Sequence, residues 1–337
     1  MDGVEVRRFR YAPSAWEKLA YQGGVLANLK RWPWLHALLP IFLLAQFLET
    51  RRALRDLNCD AVQAHWIVPQ GLVLAAALGF SASRPHWICT VHGSDVSALR
   101  GPLWSRVRRS IMGRCSHVVA VGEDLRRKLI AEGAPPGKVS VIPMGADLQG
   151  LFVPDCSERA IAELLFVGRL VAGKGLDILL RALPEIRAAH PAVRLTVVGD
   201  GPERARFEAA VSQSEFASAV AFVGAVDHAA LAGHFQRATL LVVPSRAEGF
   251  GLVAVEALGC ACPVVASDLP ALRNILDDGR GGRLFRSGDP NDLRDQVCAL
   301  LADVELRCTL TKTGRASVLA RFDWCAIGQR YLAVLSP

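Results

Sequence analysis

No Asp-x-Asp occurs in the 337 residues, which weakens the case for a divalent metal holding a diphosphate. No Walker phosphate loop is present either: residues 168–175 (GRLVAGKG) end in Gly175 where that motif needs Ser or Thr. No apolar run approaches the roughly 20 residues of a membrane span. The longest, residues 34–48 (WLHALLPIFLLAQFL), has 15 and carries Pro40. The opening MDGVEVRRFRY lacks the apolar core of a signal peptide. The nine cysteines are odd in number and have no framework spacing, which points to a reducing compartment. Cys260 and Cys262 form a C-x-C, but no second ligand pair follows, and CACPVVAS reads as core. No Ser-His-Asp or Cys-His pattern stands out.

What is there fits a globular chain of two domains. Apolar residues make up 51% and charged residues 21%. The net charge of +7 is uneven: residues 1–150 carry 19 Lys/Arg against 11 Asp/Glu, and residues 151–337 carry 20 against 21. A basic first half suits anionic lipid, a phosphorylated acceptor or nucleic acid. Nucleic acid is disfavoured, because no binding module accompanies the charge.

Residues 4–10 alternate like a strand, and 14–29 look helical around Gly23-Gly24. The apolar run 34–48 reads as a buried helix pair. Its flanking Lys30, Arg31, Arg51, Arg52, Arg55, Trp32 and Trp34 give a second reading, an interfacial segment. Strands at 61–64, 87–91, 116–121 and 139–143 alternate with helices at 70–78 and 123–132 and a basic helical stretch. Residues 143–155 (PMGADLQGLFVPD) are rich in turn formers and read as a linker. The pattern then restarts, with strands at 164–167, 193–198, 220–223, 240–244 and 264–266. Helices are expected at 176–189, 204–213, 228–235 and 292–301. Apolar strands alternating with helices mean doubly wound parallel sheets, which bind ligands beyond their strand C-terminal ends.

The densest chemistry lies in residues 245–259 (SRAEGFGLVAVEALG). On one unbroken helix Glu248 and Glu256 would sit about 80° apart. Gly249 and Gly251 break that register, leaving Glu248 on a loop and Glu256 one turn into the next helix. The amides of Phe250, Gly251 and Leu252 then form an anion-seeking helix N-terminus. Two acceptors flanking an anion site suit a phosphorylated sugar. On the Gly-rich loop, Arg169 and Lys174 can close on a diphosphate. Gly199 and Gly201 lack the third Gly of a dinucleotide fingerprint; they either form a plain tight turn or admit a flat base. Val223, at the next strand end, offers backbone to the same base. His92, in HGSD, ends a strand with Asp95 close by, a candidate for the reacting centre.

Taken together, HGSD, IPMGAD, FVGRLVAGKG, VVGDGP, FVG and EGFGLVAVEALGCACPVV resemble the retaining glycosyltransferases of family 4. The resemblance implies a GT-B fold: two facing Rossmann-like doubly wound domains with a central cleft. Residues 1–146 would bind the acceptor, 147–320 the nucleotide sugar, and 321–337 would form a helix crossing back. It implies that Arg169 and Lys174 hold the donor diphosphate. Glu256 would take the ribose hydroxyls, and Glu248 with the Gly249–Leu252 turn the transferred sugar. Gly199, Gly201 and Val223 would lie near the base. His92 would act at the reacting centre, with Asp95 on the acceptor side. No cofactor or metal is implied. The implied reaction moves a hexose to a hydroxyl of a lipid-linked or anionic glycan, in polysaccharide or glycolipid synthesis. Separately from the resemblance, the cysteine usage, the basic first half and the 34–48 run lead us to expect a place in the cytoplasm, at the inner face of the plasma membrane.

The family's usual opening strand and Gly-rich loop have no counterpart here. Two further readings stand beside the transferase: a nucleotide-sugar-binding protein without turnover, and another enzyme of the same fold, a phosphorylase or epimerase.

Overall fold

The computed structural model describes residues 3–20, 25–81, 84–97, 99, 101–155 and 159–335. They form two compact α/β units. One runs to Val141 and takes in the chain from Leu332; the other is Ile142–Tyr331.

The first unit contains α1 (Val25–Arg31), α2 (Leu39–Leu57), β1 (Ala61–His65), α3 (Leu72–Gly79), β2 (His86–Val91) and α4 (Ser94–Ser97). It continues with α5 (Pro102–Arg114), β3 (His117–Ala120), α6 (Glu123–Ala131) and β4 (Val139–Val141). Its four strands are parallel and lie side by side in chain order. The winding reversal expected of a doubly wound sheet is absent here among the described residues. In β2, five of six residues are buried, as a parallel strand covered on both faces requires. The β1–β2 register sets His65 opposite Thr90, so both strands end at the same level.

The second unit contains β5 (Glu163–Val167), α7 (Leu176–Ala189), β6 (Arg194–Val198), α8 (Arg204–Ser212), β7 (Val220–Gly224) and α9 (Leu231–Arg237). Then come β8 (Leu240–Val243), α10 (Leu252–Gly259), β9 (Val264–Ser267), α11 (Pro270–Ile275) and β10 (Arg283–Phe285). The chain closes with α12 (Pro290–Ala302), α13 (Val304–Phe322) and α14 (Trp324–Leu335). The sheet order is β10-β9-β8-β5-β6-β7, all parallel. From β5 the chain winds outward through β6 and β7, then returns to β8 on the other side. The reversal makes a topological switch point beyond the C-terminal ends of β5 and β8, the place where open α/β sheets bind ligands. Two apolar clusters sandwich this sheet, one centred on α10, the other on α7.

The two parallel-sheet α/β units and nearly all strands match the sequence reading. Residues 4–10 do not form a strand: Val4 and Val6 stay exposed and no strand among the described residues pairs with them. The expected helix over 14–29 is a short 3-10 turn, Ser14–Trp16, and then α1; Gly23-Gly24 lie outside the described residues. Residues 34–48 fall in a 3-10 segment, Pro33–Leu38, and the first half of α2. Only one face of that run is buried, with Leu35, Leu38 and Phe42 joining Leu19 and Leu29 in a small satellite core. The expected helix over 321–335 is broken at Asp323, whose carboxylate accepts from Cys325 N at 2.9 Å and from Gln149 Nε2 at 2.8 Å. No described helix is long and apolar enough to cross a membrane.

Candidate functional site

The loops after β5 and β8 meet at the switch point and are tied together through Arg246. Its amide donates to Gly173 O at 2.9 Å, and its guanidinium grips Asp177 with two bonds of 2.7 and 2.6 Å. These bonds hold the Asp177 carboxyl below its usual range. Between the braced loops, Lys174 Nζ donates to Glu248 Oε2 at 2.7 Å, and Ser245 Oγ donates to the same oxygen at 3.1 Å. Two residues expected to serve adjoining parts of one ligand, its diphosphate and its transferred sugar, are thus paired. Arg169 is exposed on the same loop.

Beyond Glu248 the chain turns into α10. Gly249 is exposed, whereas the Phe250 ring is buried edge-on against Phe322, with centroids 5.6 Å apart at 82°. That anchor fixes the turn. Gly251 is the N-cap residue and no side chain caps the helix. The first-turn amides of Leu252 and Val253 have no intrahelical acceptor, as at any α-helix start. An uncapped N-terminus beside an ammonium group suits a phosphate.

Glu256 lies on the second turn of α10 and is only 4% exposed. Its Oε1 is 2.8 Å from His228 Nε2. Burial pushes the carboxyl above its usual range; the bond with His228 works the other way but less strongly. His228 leans edge-on against Phe152, at 5.2 Å and 70°. Sequence reasoning missed it. The only signal is its position just after the FVG strand end, too weak to separate it from an ordinary helix start.

Gly199 has φ +132°, and a Cβ there would lie 2.0 Å from Gly168 O. A Cβ on Gly201 would lie 2.4 Å from Leu170 O. The close approach these residues permit is therefore to the backbone of the Arg169 loop. Leu170 N donates to Asp200 O at 2.9 Å, so this turn buttresses the Lys174 loop. Val223 is exposed at the end of β7; the next residue, Gly224, accepts from Gly199 N at 2.8 Å. Cys260 and Cys262 are buried, with thiols pushed up to about 12, so neither offers a thiolate at neutral pH.

In the first unit, His92 follows β2 and His65 ends β1. His65 Nδ1 and His92 Nε2 are 3.0 Å apart, and Trp66 lies against His92 at 4.8 Å. Burial, then His65, lowers the His92 pKa to about 4. Asp95 is buried and presents no open carboxylate. Its Oδ2 accepts from Ile67 N and its Oδ1 from Gly93 N, both at 3.0 Å, binding the two strand-end loops together. His65 was not singled out from sequence, although QAHW at one strand end and TVHG at the next carry the pattern.

Comparison with known proteins gives the following. The model of Glycosyltransferase Family 4 matches residues 2–149, and that of Glycosyl transferases group 1 matches residues 162–303. An uncharacterized glycosyltransferase of Methanocaldococcus jannaschii is 31% identical over 274 residues, 80% of this chain and 74% of that one. A D-inositol 3-phosphate glycosyltransferase of Segniliparus rotundus is 38% identical over 59% of this chain; the match spans 47% of that protein, about half its length. Among solved structures, sucrose-phosphate synthase from Thermosynechococcus elongatus superposes with a TM-score of 0.73 at 28% identity, over 90% of this chain and 79% of that one.

Proposed function

The chain belongs to the family 4 glycosyltransferases of GT-B fold, and from that premise we propose that it moves a hexose from a nucleotide diphosphate sugar to a hydroxyl, with retention. One observation carries this reading: an ammonium–carboxylate pair, Lys174–Glu248, stands beside the uncapped start of α10 at the sheet's switch point. A cation and helix amides suit a diphosphate, and a carboxylate suits the hydroxyls of the adjoining sugar.

In the proposed reaction the bond from the sugar's anomeric carbon to the diphosphate oxygen breaks. A bond to the acceptor oxygen forms on the same face. The acceptor proton passes to the departing phosphate, leaving a nucleoside diphosphate and a glycoside. Arg169, Lys174 and the amides of Phe250, Gly251 and Leu252 stabilise the charge that grows on the leaving group. That cationic set supplies what a metal would otherwise provide. Glu248 orients the sugar, Glu256 the ribose, and the surface of Gly199, Gly201 and Val223 faces the base. His92 serves the acceptor side, while Asp95 holds its loop.

Binding and turnover test this reading. Titration with nucleoside diphosphates should give saturable binding that Lys174→Ala weakens by about tenfold or more, the worth of one charge-assisted hydrogen bond. Release of nucleoside diphosphate from a sugar donor should require an added hydroxyl acceptor. Binding without release across donors and acceptors would favour the non-transferring reading instead.

The acceptor we propose is a lipid-linked or anionic glycan met at a membrane surface. Ile41, Leu44 and Leu48 form an exposed apolar stripe on α2, continued by exposed Arg51, Arg52 and Arg55 on the same face. Exposed Phe80 lies beside it, 5.4 Å beneath the Arg51 guanidinium. Asp56 offsets part of the charge through Arg52 and Arg55. An apolar stripe with adjacent arginines suits an anionic bilayer interface. The chain should sediment with phosphatidylserine vesicles at low salt, and Leu44→Asp/Leu48→Asp should abolish this. Equal sedimentation with neutral vesicles, or none with either, would remove the membrane part of the proposal.

A further inference from the structure

His65 and His92 end adjacent parallel strands, and their ring nitrogens are 3.0 Å apart. Their ring centroids are 5.2 Å apart at an interplanar angle of 25°. That separation is nearly the largest a 3.0 Å N···N contact allows between two imidazoles. The rings therefore meet edge to edge in nearly one plane, as a directed N–H···N bond requires. Such a bond holds one proton between Nδ1 of His65 and Nε2 of His92. A second proton on that axis would set donor against donor.

The surroundings hold this arrangement in place. Trp66 has φ +69° and ψ 134°, a conformation that costs a residue with a side chain on the order of 1–3 kcal/mol. Its indole packs on His92 at 4.8 Å and 41°. Asp95 pins the chain on both sides by binding the amides of Ile67 and Gly93. Strain of this kind persists where neighbours over-determine the local geometry.

We propose that His65 is a positioning residue for His92: its Nδ1 accepts from His92 Nε2–H, which leaves His92 Nδ1 as the unprotonated nitrogen that meets a substrate hydroxyl. Among the described residues the titratable groups around His92 are His65 from β1 and Asp95 from α4, with Cys89 of β2 next to Asp95. Burial is the larger cause holding His92 neutral and His65 the smaller, together lowering it from 6.5 to about 4. Between about 6.5 and 4 the unfolded chain binds a proton that folded His92 refuses, so stability falls as pH falls through that window.

The role in transfer rests on the proposed reaction; the tautomer does not. The test is imidazole ¹⁵N NMR of the whole ligand-free chain, with His65→Phe and His65→Asn as variants. Wild type should show a single His92 tautomer titrating near 4. His65→Phe keeps the ring's bulk and loses the nitrogen; it should mix the tautomers and raise the midpoint, still short of 6.5 because burial remains. His65→Asn places an amide group near the lost Nδ1 and should restore one tautomer. Transfer should fall about tenfold or more in His65→Phe and largely recover in His65→Asn. An unchanged His92 tautomer in His65→Phe would overturn the proposal, and so would mixed tautomers with undiminished transfer. A wild-type chain that transfers nothing counts against the transferase reading, while the NMR arm still decides the pairing.

Discussion

Glu256→Ala is expected to cost on the order of a hundredfold or more in nucleotide-sugar affinity, equivalent to two hydrogen bonds to a charged acceptor. Its neighbours on α10, Ala254, Val255, Ala257 and Leu258, are fully buried. A carboxylate in that setting is expensive, because among the described residues His228 alone is seen to offset its lost hydration. Burial accordingly raises its pKa. A raised carboxyl pKa means the folded chain binds the proton more tightly than the unfolded chain does. The stability cost is thus fully present above the folded pKa and fades as pH falls toward the ordinary 4.5.

Glu256→Gln separates binding from stability. Its amide oxygen keeps an acceptor for His228 while the charge is gone. This variant should therefore melt at a higher temperature than wild type near pH 7, with a flatter dependence on acid. It should still bind nucleotide sugar about tenfold more weakly. Calorimetric titration and thermal melts across pH check both halves. Wild-type affinity in Glu256→Ala would remove Glu256 from the donor site.

The α10 segment was legible in sequence because its chemistry is local. Glu248, the Gly-Phe-Gly turn and Glu256 lie within one loop–helix junction, and glycine spacing alone breaks the register between the carboxylates. The Arg169–Lys174 loop was legible for the same reason. Partnerships made by the sheet were not. The His65–His92 bond arises from the register of two strands 27 residues apart. His228 reaches Glu256 across 28 residues. A single histidine has no period and no spacing to betray such a partner. Asp95 misled for a related reason: an Asp three residues from a histidine looks like a polar pair. The turn at Gly93 instead directs its carboxylate to backbone amides. The first 60 residues were the least legible stretch. Residues 4–10 alternate like a strand, but alternation makes one only where a neighbouring strand offers hydrogen bonds.

Gly175→Ala is expected to unseat the Lys174 loop and lower the stability of the second unit by about 2–4 kcal/mol, or roughly 5–10 °C in melting temperature. Gly175 has φ +69°, where an alanine is strained by roughly 1–2 kcal/mol before any contact is counted. Its added Cβ would lie 1.9 Å from Pro244 O and 2.9 Å from Pro244 C. Those atoms are backbone at the end of β8, next to buried Ser245, and no rotamer change relieves the clash. The two loops would have to separate. Separation breaks the Arg246 N to Gly173 O bond and draws Lys174 from Glu248, so nucleotide binding should fall with stability. Gly173→Ala is the control two residues away on the same loop, because a Cβ there meets nothing within 4 Å. It should stay within about 0.5 kcal/mol of wild type, as surface substitutions do, and keep its affinity. Equal melting and equal binding in the two variants would mean that the loops are not braced against each other through Gly175. Loss of both properties in Gly175→Ala alone would tie ligand affinity to that backbone contact, because the substitution removes no charged side chain.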